Sequence, residues 1–379
     1  MAKTKYTKNS RGEYATRIWD GTYNEDGSKH RVNLKSKKSS ADLEKQVNAL
    51  KESIKQGNYV QPSDILFGTY AKQWLVAKKS VREKNTQAMY TNIIDKHLSD
   101  LASTKLTNIR NSHFQRVINN AIEKPRTCQQ IYLTFRQIIK IAVTDNIIGA
   151  GMAESIVTDI SLPKVPKTEK RPLNPIEKGA LKKCLDENRF TDRETTYLLI
   201  IYYTGMRRGE ALALTKFDFK FSKNTNTVSV TKTLIFDGNT PEIKPIPKSD
   251  NGYRTIPLPD KICKFLRNYI HSLDGAQLFS CSTNPLITKS SYVKMWESII
   301  KKMNRAVGGT NSLSLIDDLT AHIFRHNFCS NLCYQVPKIS IKKIAQLMGD
   351  TEKVVLEVYN HVIDEKEEVD EVLKTALTM

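Results

Sequence analysis

Residues 160–175 hold four prolines (Pro163, Pro166, Pro172 and Pro175) among basic side chains. Proline lacks a backbone N–H and clashes with the preceding turn, so this stretch neither continues a helix nor enters a central strand. It stays extended, and the chain on either side must build separate cores. With 379 residues and about 150 residues per domain as a prior, two or three domains are expected. The reading is residues 1–62, residues 63–165, and residues 172–379 with a terminal tail helix.

The first of these patterns as a small sheet plus a helix. Tyr14 to Trp19 alternates, Asp26-Gly27 is a hairpin turn signal, and Arg31 to Leu34 alternates again. A three-stranded sheet is expected, with Arg17 on it as a DNA contact. Ser39 or Ser40 then caps a helix whose apolar positions are Leu43, Val47, Leu50 and Ile54, and Gly57 ends it. Such a module either lays its sheet in a DNA groove or serves as a capping subdomain. After a linker at 58–66, everything to about Ala150 has helical spacing, as in Phe67-Tyr70-Trp74 and Ile131-Phe135-Ile138. This is a helical bundle with basic turns. Lys78, Lys79, Arg82 and Lys84 lie between its first two helices, and Arg126 begins a later one. The last domain is α+β, mostly helical, with strands expected at Thr227–Phe236 and Arg254–Leu258. The fold class is therefore multidomain and mainly α with small β elements.

Charge narrows the partner. The chain has 59 Lys+Arg against 40 Asp+Glu, a net +19. Residues 1–62 carry 13 basic and 7 acidic side chains, residues 63–168 carry 15 and 8, and the remainder 31 and 25. The excess runs through every segment instead of sitting in a tail, so several domains are expected to touch a polyanion backbone. No run of 18 apolar residues suggests a membrane span, and the basic N-terminus has no apolar stretch behind it that would make a secretory signal. Cys128, Cys184, Cys263, Cys281, Cys329 and Cys333 are scattered without a CxxC pair. That pattern argues for reduced thiols in a cytoplasm and against a disulfide framework or zinc site.

Four motifs in the last domain carry chemistry. In Thr204-Gly205-Met206-Arg207-Arg208-Gly209-Glu210, a turn presents Arg207 at a helix start, with Glu210 one turn on to orient it. The segment Lys248 to Pro257 places a lysine beside the turn signal Asp250-Asn251-Gly252. In Ala321 to His326, His322 and Arg325 are three residues apart on a helix face, and a guanidinium binds two phosphate oxygens at once. Leu347-Met348-Gly349-Asp350 is followed nine residues later by Tyr359. Each alone has an ordinary explanation: a surface arginine, a solvated turn lysine, a helix-cap pair, a half-buried tyrosine.

Together and in this order, TGMRRGEALAL, PKSDNGYRTIPL, HIFRHNFCSNL and LMGD…VYNHV resemble the tyrosine recombinase (phage integrase) family, most of all integrases of temperate phages and conjugative transposons. The resemblance implies a site-specific DNA recombinase with an arm-binding module, a core-binding (SAM-like) domain and a catalytic domain. It carries catalytic roles to Arg207, Lys248, His322, Arg325 and Tyr359. At the sixth position the family usually has His, sometimes Trp or Lys, where this chain has Asp350. A carboxylate cannot donate a hydrogen bond to a phosphoryl oxygen unless protonated. Either Asp350 takes another role, Lys353 substitutes, or the site is weakened. The resemblance also implies core-type and arm-type DNA sites, a homotetramer assembled through the C-terminal tail, an excisionase, a DNA-bending host protein, and a bacterial, nucleoid-associated location.

The chemistry is consistent with those residues. Attack on a phosphodiester builds negative charge that an enzyme without metal must meet with fixed donors. A phenol of pKa about 10 is a poor nucleophile until cations lower it. Tyr359 would form a 3′-phosphotyrosine, and Lys248 would protonate the leaving 5′-oxygen. The covalent bond keeps the phosphodiester energy, so neither ATP nor metal is expected as a cofactor, and no GxxxxGK[ST] loop occurs. Two alternatives stand beside recombination: type IB topoisomerase-like strand passage, and a catalytically weakened DNA-binding regulator. Beyond the acidic run 364–371, Val369, Val372, Leu373, Ala376 and Leu377 have the spacing of a short amphipathic helix.

Overall fold

The computed structural model describes residues 5–23, 26–55, 59–60, 63–80, 82–166, 171–245, 252–282 and 284–364, with the side chains of 361, 363 and 364 left aside. Gly57, Lys248 and the expected tail helix lie outside the described residues. The chain divides into two compact units, Met1–Lys167 and Thr168–Met379.

The first unit opens with an antiparallel hairpin, β1 (Tyr14–Tyr23) and β2 (Lys29–Ser36), in register from Tyr14↔Ser36 to Trp19↔Arg31. Asp26 Oδ1 accepts the Ser28 N–H at 2.9 Å, and Gly27 takes the positive φ of 78° that the turn needs. The third strand expected from sequence is absent among the described residues, and only a single bridge, Lys8↔Tyr14, stands in its place. Asn9 explains this: its side chain accepts the Arg11 and Glu13 N–H groups, which closes a turn and removes them from any ladder. Helix α1 (Ser40–Lys55) buries Leu43 and Val47. The helical part follows as α2 (Phe67–Lys79), α3 (Lys84–Asn92), α4 (Asn111–Asn119), α5 (Pro125–Thr144) and α6 (Ala150–Val157). Their stripes meet in a core built on Phe67, Leu98, Phe114, Ile131 and Phe135, with the Phe114 and Phe135 rings stacked 3.8 Å apart.

The second unit begins at α7 (Pro175–Asp186), capped by Asn174 and Glu177 reciprocally, with Pro175 in the first turn where its missing N–H costs nothing. Next come α8 (Asp192–Thr204) and the short α9 (Arg208–Leu212). Among the described residues five strands follow: β3 (Phe219–Phe221), β4 (Asn226–Val230), β5 (Thr233–Asp237), β6 (Thr240–Lys244) and β7 (Arg254–Pro257). They form a sheet in the order β3-β4-β7 and a separate hairpin β5-β6. The single strand expected over Thr227–Phe236 is thus two strands in two sheets. The chain leaves the first sheet at Lys232, whose Nζ reaches back to both oxygens of Asp218 at 3.0 and 2.8 Å. Among the described residues five further helices follow: α10 (Asp260–His271), α11 (Lys289–Ala306), α12 (Ala321–Cys333), α13 (Ile341–Met348) and α14 (Glu352–Asp364). The main core gathers Leu198, Ile201, Leu212, Leu266, Phe279 and Phe324. A second cluster, with Cys329, Ile344, Met348, Val355 and Val358, joins α12, α13 and α14. All six cysteines are free thiols.

Candidate active site

Helix α8 stops at Gly205, which turns left-handed at φ 60°, and a Cβ there would run into the Phe328 ring. That sharp stop places Arg207 at the cap of α9. Glu210, in the first turn of α9, accepts the Arg207 backbone N–H at 2.9 Å and the Arg207 Nη1 at 2.9 Å. One carboxylate therefore caps the helix and aims the guanidinium, as the three-residue spacing suggested.

Arg325 rises from α12 and is almost fully buried. Its Nη1 donates to the Gly205 carbonyl at 2.7 Å and its Nη2 to Asp350 Oδ2 at 2.6 Å. The other Asp350 oxygen lies 3.2 Å from Arg207 Nη2, and that nitrogen also donates to the Gly349 carbonyl at 2.9 Å. The Asp350 carboxylate is thus held between two guanidiniums contributed by distant stretches of sequence. Gly349, at φ 62°, ends α13 and swings Asp350 into this place. Burial, then the neighbouring Arg207 charge, pull the Arg325 pKa below arginine's usual value, against the opposing pull of Asp350 and Glu210.

Sequence reading missed Arg254. Its guanidinium, nearly all of it buried, donates from Nη2 to Glu210 Oε2 at 2.7 Å, from Nε to the Leu347 carbonyl at 2.8 Å, and from Nη1 to the Gly252 carbonyl at 3.0 Å. Burial pushes the Glu210 carboxyl up, but the Arg254 and Arg207 contacts outweigh it and hold it below the usual glutamate value. The available signal was strand alternation: Arg254 and Ile256 share a face, and Ile256 is a core position.

The other candidates of this unit lie apart from that arginine–carboxylate cluster or beside it as follows. His322 is exposed in the first turn of α12, its ring edge-on to buried His326 with centroids 4.5 Å apart. Tyr359 is half-buried on α14 against the cluster that also holds α12 and α13, so the Arg325 and Tyr359 helices share one core. Lys353 is exposed near the start of α14. The loop bearing Lys248 is described only at its ends, where Tyr253 Oη donates to the Pro245 carbonyl at 3.0 Å and Arg254 holds Gly252.

In the first unit, Arg17, Lys78, Arg82, Lys84 and Arg126 are exposed. Lys79 is instead folded over the Trp74 and Tyr90 rings, with Nζ 2.9 Å from Gln137 Oε1, so packing occupies it. Among the described residues no group of three His, Cys, Asp or Glu side chains could hold a metal ion, and no helix is long and apolar enough to cross a membrane.

Residues 177–366 match the Phage integrase family, and residues 66–122 match its N-terminal SAM-like domain. The chain belongs to the phage integrase family. This integrase is a tyrosine-type site-specific recombinase acting on DNA. It is 23% identical to the "Tyrosine recombinase XerC-like" of Caldanaerobacter subterraneus subsp. tengcongensis, with 95% of each chain aligned. It is 26% identical to "Tyrosine recombinase XerA" of Pyrococcus furiosus, over 53% of this chain and 60% of the relative. Among solved structures, the integrase resembles the Tn1549 transposon integrase in complex with a circular intermediate DNA (TM-score 0.64, 18% identity, 78% of this chain and 95% of that one). It also resembles a lambda integrase dimer bound to a core site (TM-score 0.58, 13% identity, 93% and 94%).

Proposed function

We propose that this integrase cuts and rejoins DNA through a 3′-phosphotyrosine formed on Tyr359. The observation that carries the reading is the convergence of Arg207 and Arg325 on the two oxygens of one carboxylate, at 3.2 and 2.6 Å. Two planar donors fixed around a seat for paired oxygens suit the non-bridging oxygens of a phosphodiester.

In this reading the scissile phosphate displaces Asp350 from between the guanidiniums. Tyr359 Oη attacks phosphorus while the bond to the 5′-oxygen breaks. The phenol proton passes to His322 as base, and Lys248 supplies a proton to the departing 5′-oxygen. Attack by the 5′-hydroxyl of another strand reverses the step, restores a phosphodiester and frees the tyrosine. Asp350 acts in the free protein as the counter-ion that lets two like charges, one of them buried, sit side by side. The test is a nicked suicide substrate carrying the element's own end: wild-type protein should become covalently attached to it. A chain that binds this DNA yet never forms the adduct is a DNA-binding regulator instead.

Residues 1–62 would bind arm-type sites, residues 63–165 and 172–379 would clamp the core site, and Arg17, Lys78, Arg82, Lys84 and Arg126 would meet phosphates. The related lambda integrase forms a dimer on a core site and a tetramer on a Holliday junction. That supports a homotetramer here, assembled through the tail beyond Asp364. An excisionase and a DNA-bending protein of a bacterial cytoplasm complete the partners, and the reaction integrates and excises a mobile element.

A further inference from the structure

We infer that Arg254 is a positioning residue for strand cleavage, acting through Glu210 on the Arg207 guanidinium. The inference rests on the recombinase reading above and adds a residue to it. Glu210 has two oxygens and serves two arginines. Oε1 meets Arg207 Nη1, while Oε2 accepts both the Arg207 backbone N–H and Arg254 Nη2. Remove Arg254 and the inner oxygen loses the one side-chain donor it has among the described residues, inside a nearly dry environment, because Glu210 is 2% exposed. The carboxylate then turns toward whatever cation remains, which is Arg207, and draws that guanidinium away from the phosphate seat.

Arg254 also fixes the ground on which the seat stands. Its Nε holds the Leu347 carbonyl in the last turn of α13, two residues before Gly349, whose own carbonyl accepts Arg207 Nη2. Arg207 is thus steered from two sides, by Glu210 and by the Gly349 turn, and Arg254 braces both. No neutral or single-point donor can make these three contacts together.

The test is single-turnover adduct formation on the suicide substrate with Arg254→Met and Arg254→Lys, beside wild type and Arg207→Ala. The expected result is a rate lowered by about 10²-fold in Arg254→Met at saturating protein, the cost of a misplaced clamp, with core-site affinity kept and a lower melting temperature, since a buried carboxylate loses its partner. Arg254→Lys should recover part of the rate, since it leaves a cation beside Glu210. In an Arg207→Ala background, Arg254→Met should add no further loss. A substrate with sulfur at the leaving 5′-position should not relieve the defect, because the fault lies at the clamp and not at the leaving group. Losses that multiply with Arg207→Ala, or relief by sulfur, overturn the inference. If Arg254→Met does not fold, Arg254→Lys decides: slowed cleavage with intact binding supports the inference, and equal losses of binding and cleavage overturn it. No adduct from wild-type protein overturns the recombinase reading itself, a result distinct from all of these.

Discussion

Asp350 Oδ2 lies 2.6 Å from Arg325 Nη2, and the carboxylate's second oxygen faces Arg207 at 3.2 Å. An acid stands where two arginines present an anion seat. This accounts for a carboxylate at a position where a hydrogen-bond donor was expected. In the proposed reading Asp350 does not replace that donor but neutralises the seat while no phosphate is bound.

Asp350→His should therefore keep cleavage at the wild-type rate or raise it, because the competing anion is gone and a donor is supplied. The free protein should melt lower, since a nearly buried guanidinium loses its partner, at a cost of roughly 1–3 kcal/mol. Core-site DNA should restore that loss. Calorimetric melting with and without DNA, beside an adduct assay, checks both halves. A strong loss of cleavage would assign the carboxylate a direct part in the reaction.

Glu210→Gln should lower adduct formation by about 10²-fold through misplacement of Arg207, with core-site binding kept. Its pH behaviour follows from the depressed Glu210 pKa. A group held lower in the folded state stabilises fully above its unfolded value, and that contribution is lost only as pH falls through the folded value. Wild-type melting should then drop below the usual glutamate range, and the Gln variant should show less of that acid dependence. Melting curves across acid pH test the sign.

In the N-terminal hairpin, Asp20 accepts from Thr22 and Tyr59 and pairs with His30 Nδ1 at 2.5 Å. Burial pushes its carboxyl up, but these bonds outweigh it and bring the pKa from 3.8 down to about 2. The hairpin should hold above the higher value and loosen as pH falls toward the lower one. Asp20→Asn should weaken the hairpin at neutral pH and flatten that acid limb. Backbone amide signals of β1 and β2, followed through an acid titration, give the readout.

Deleting residues 1–62 should spare cleavage of a core site and abolish binding to arm-type repeats. Gel shifts on the two DNA classes, run beside the adduct assay, separate these outcomes. A truncated protein unable to cleave a core site would make the hairpin module part of the core clamp.

The local parts of this fold were legible in the sequence. The turn at Gly205, the Arg207–Glu210 spacing, the cap at Ser39, whose Oγ accepts the Asp42 N–H at 3.1 Å, and the helical stripes all depend on residues within a turn or two of one another. What was not legible is nonlocal. The split of Thr227–Phe236 depends on Lys232 reaching Asp218. The missing third strand depends on how Asn9 spends its neighbours' N–H groups. Arg254 read as the start of a strand because its three acceptors come from three separate segments. Asp350 looked anomalous for the same reason: its role is set by two arginines far from it in the chain.

The most direct test of the account replaces one oxygen. Tyr359→Phe and wild-type protein are each incubated with the suicide substrate, and covalent complex and core-site binding are measured side by side. The account predicts full binding by the variant and no adduct, with adduct in the wild type. An adduct that persists on Tyr359→Phe would contradict it, because the nucleophile would then lie elsewhere.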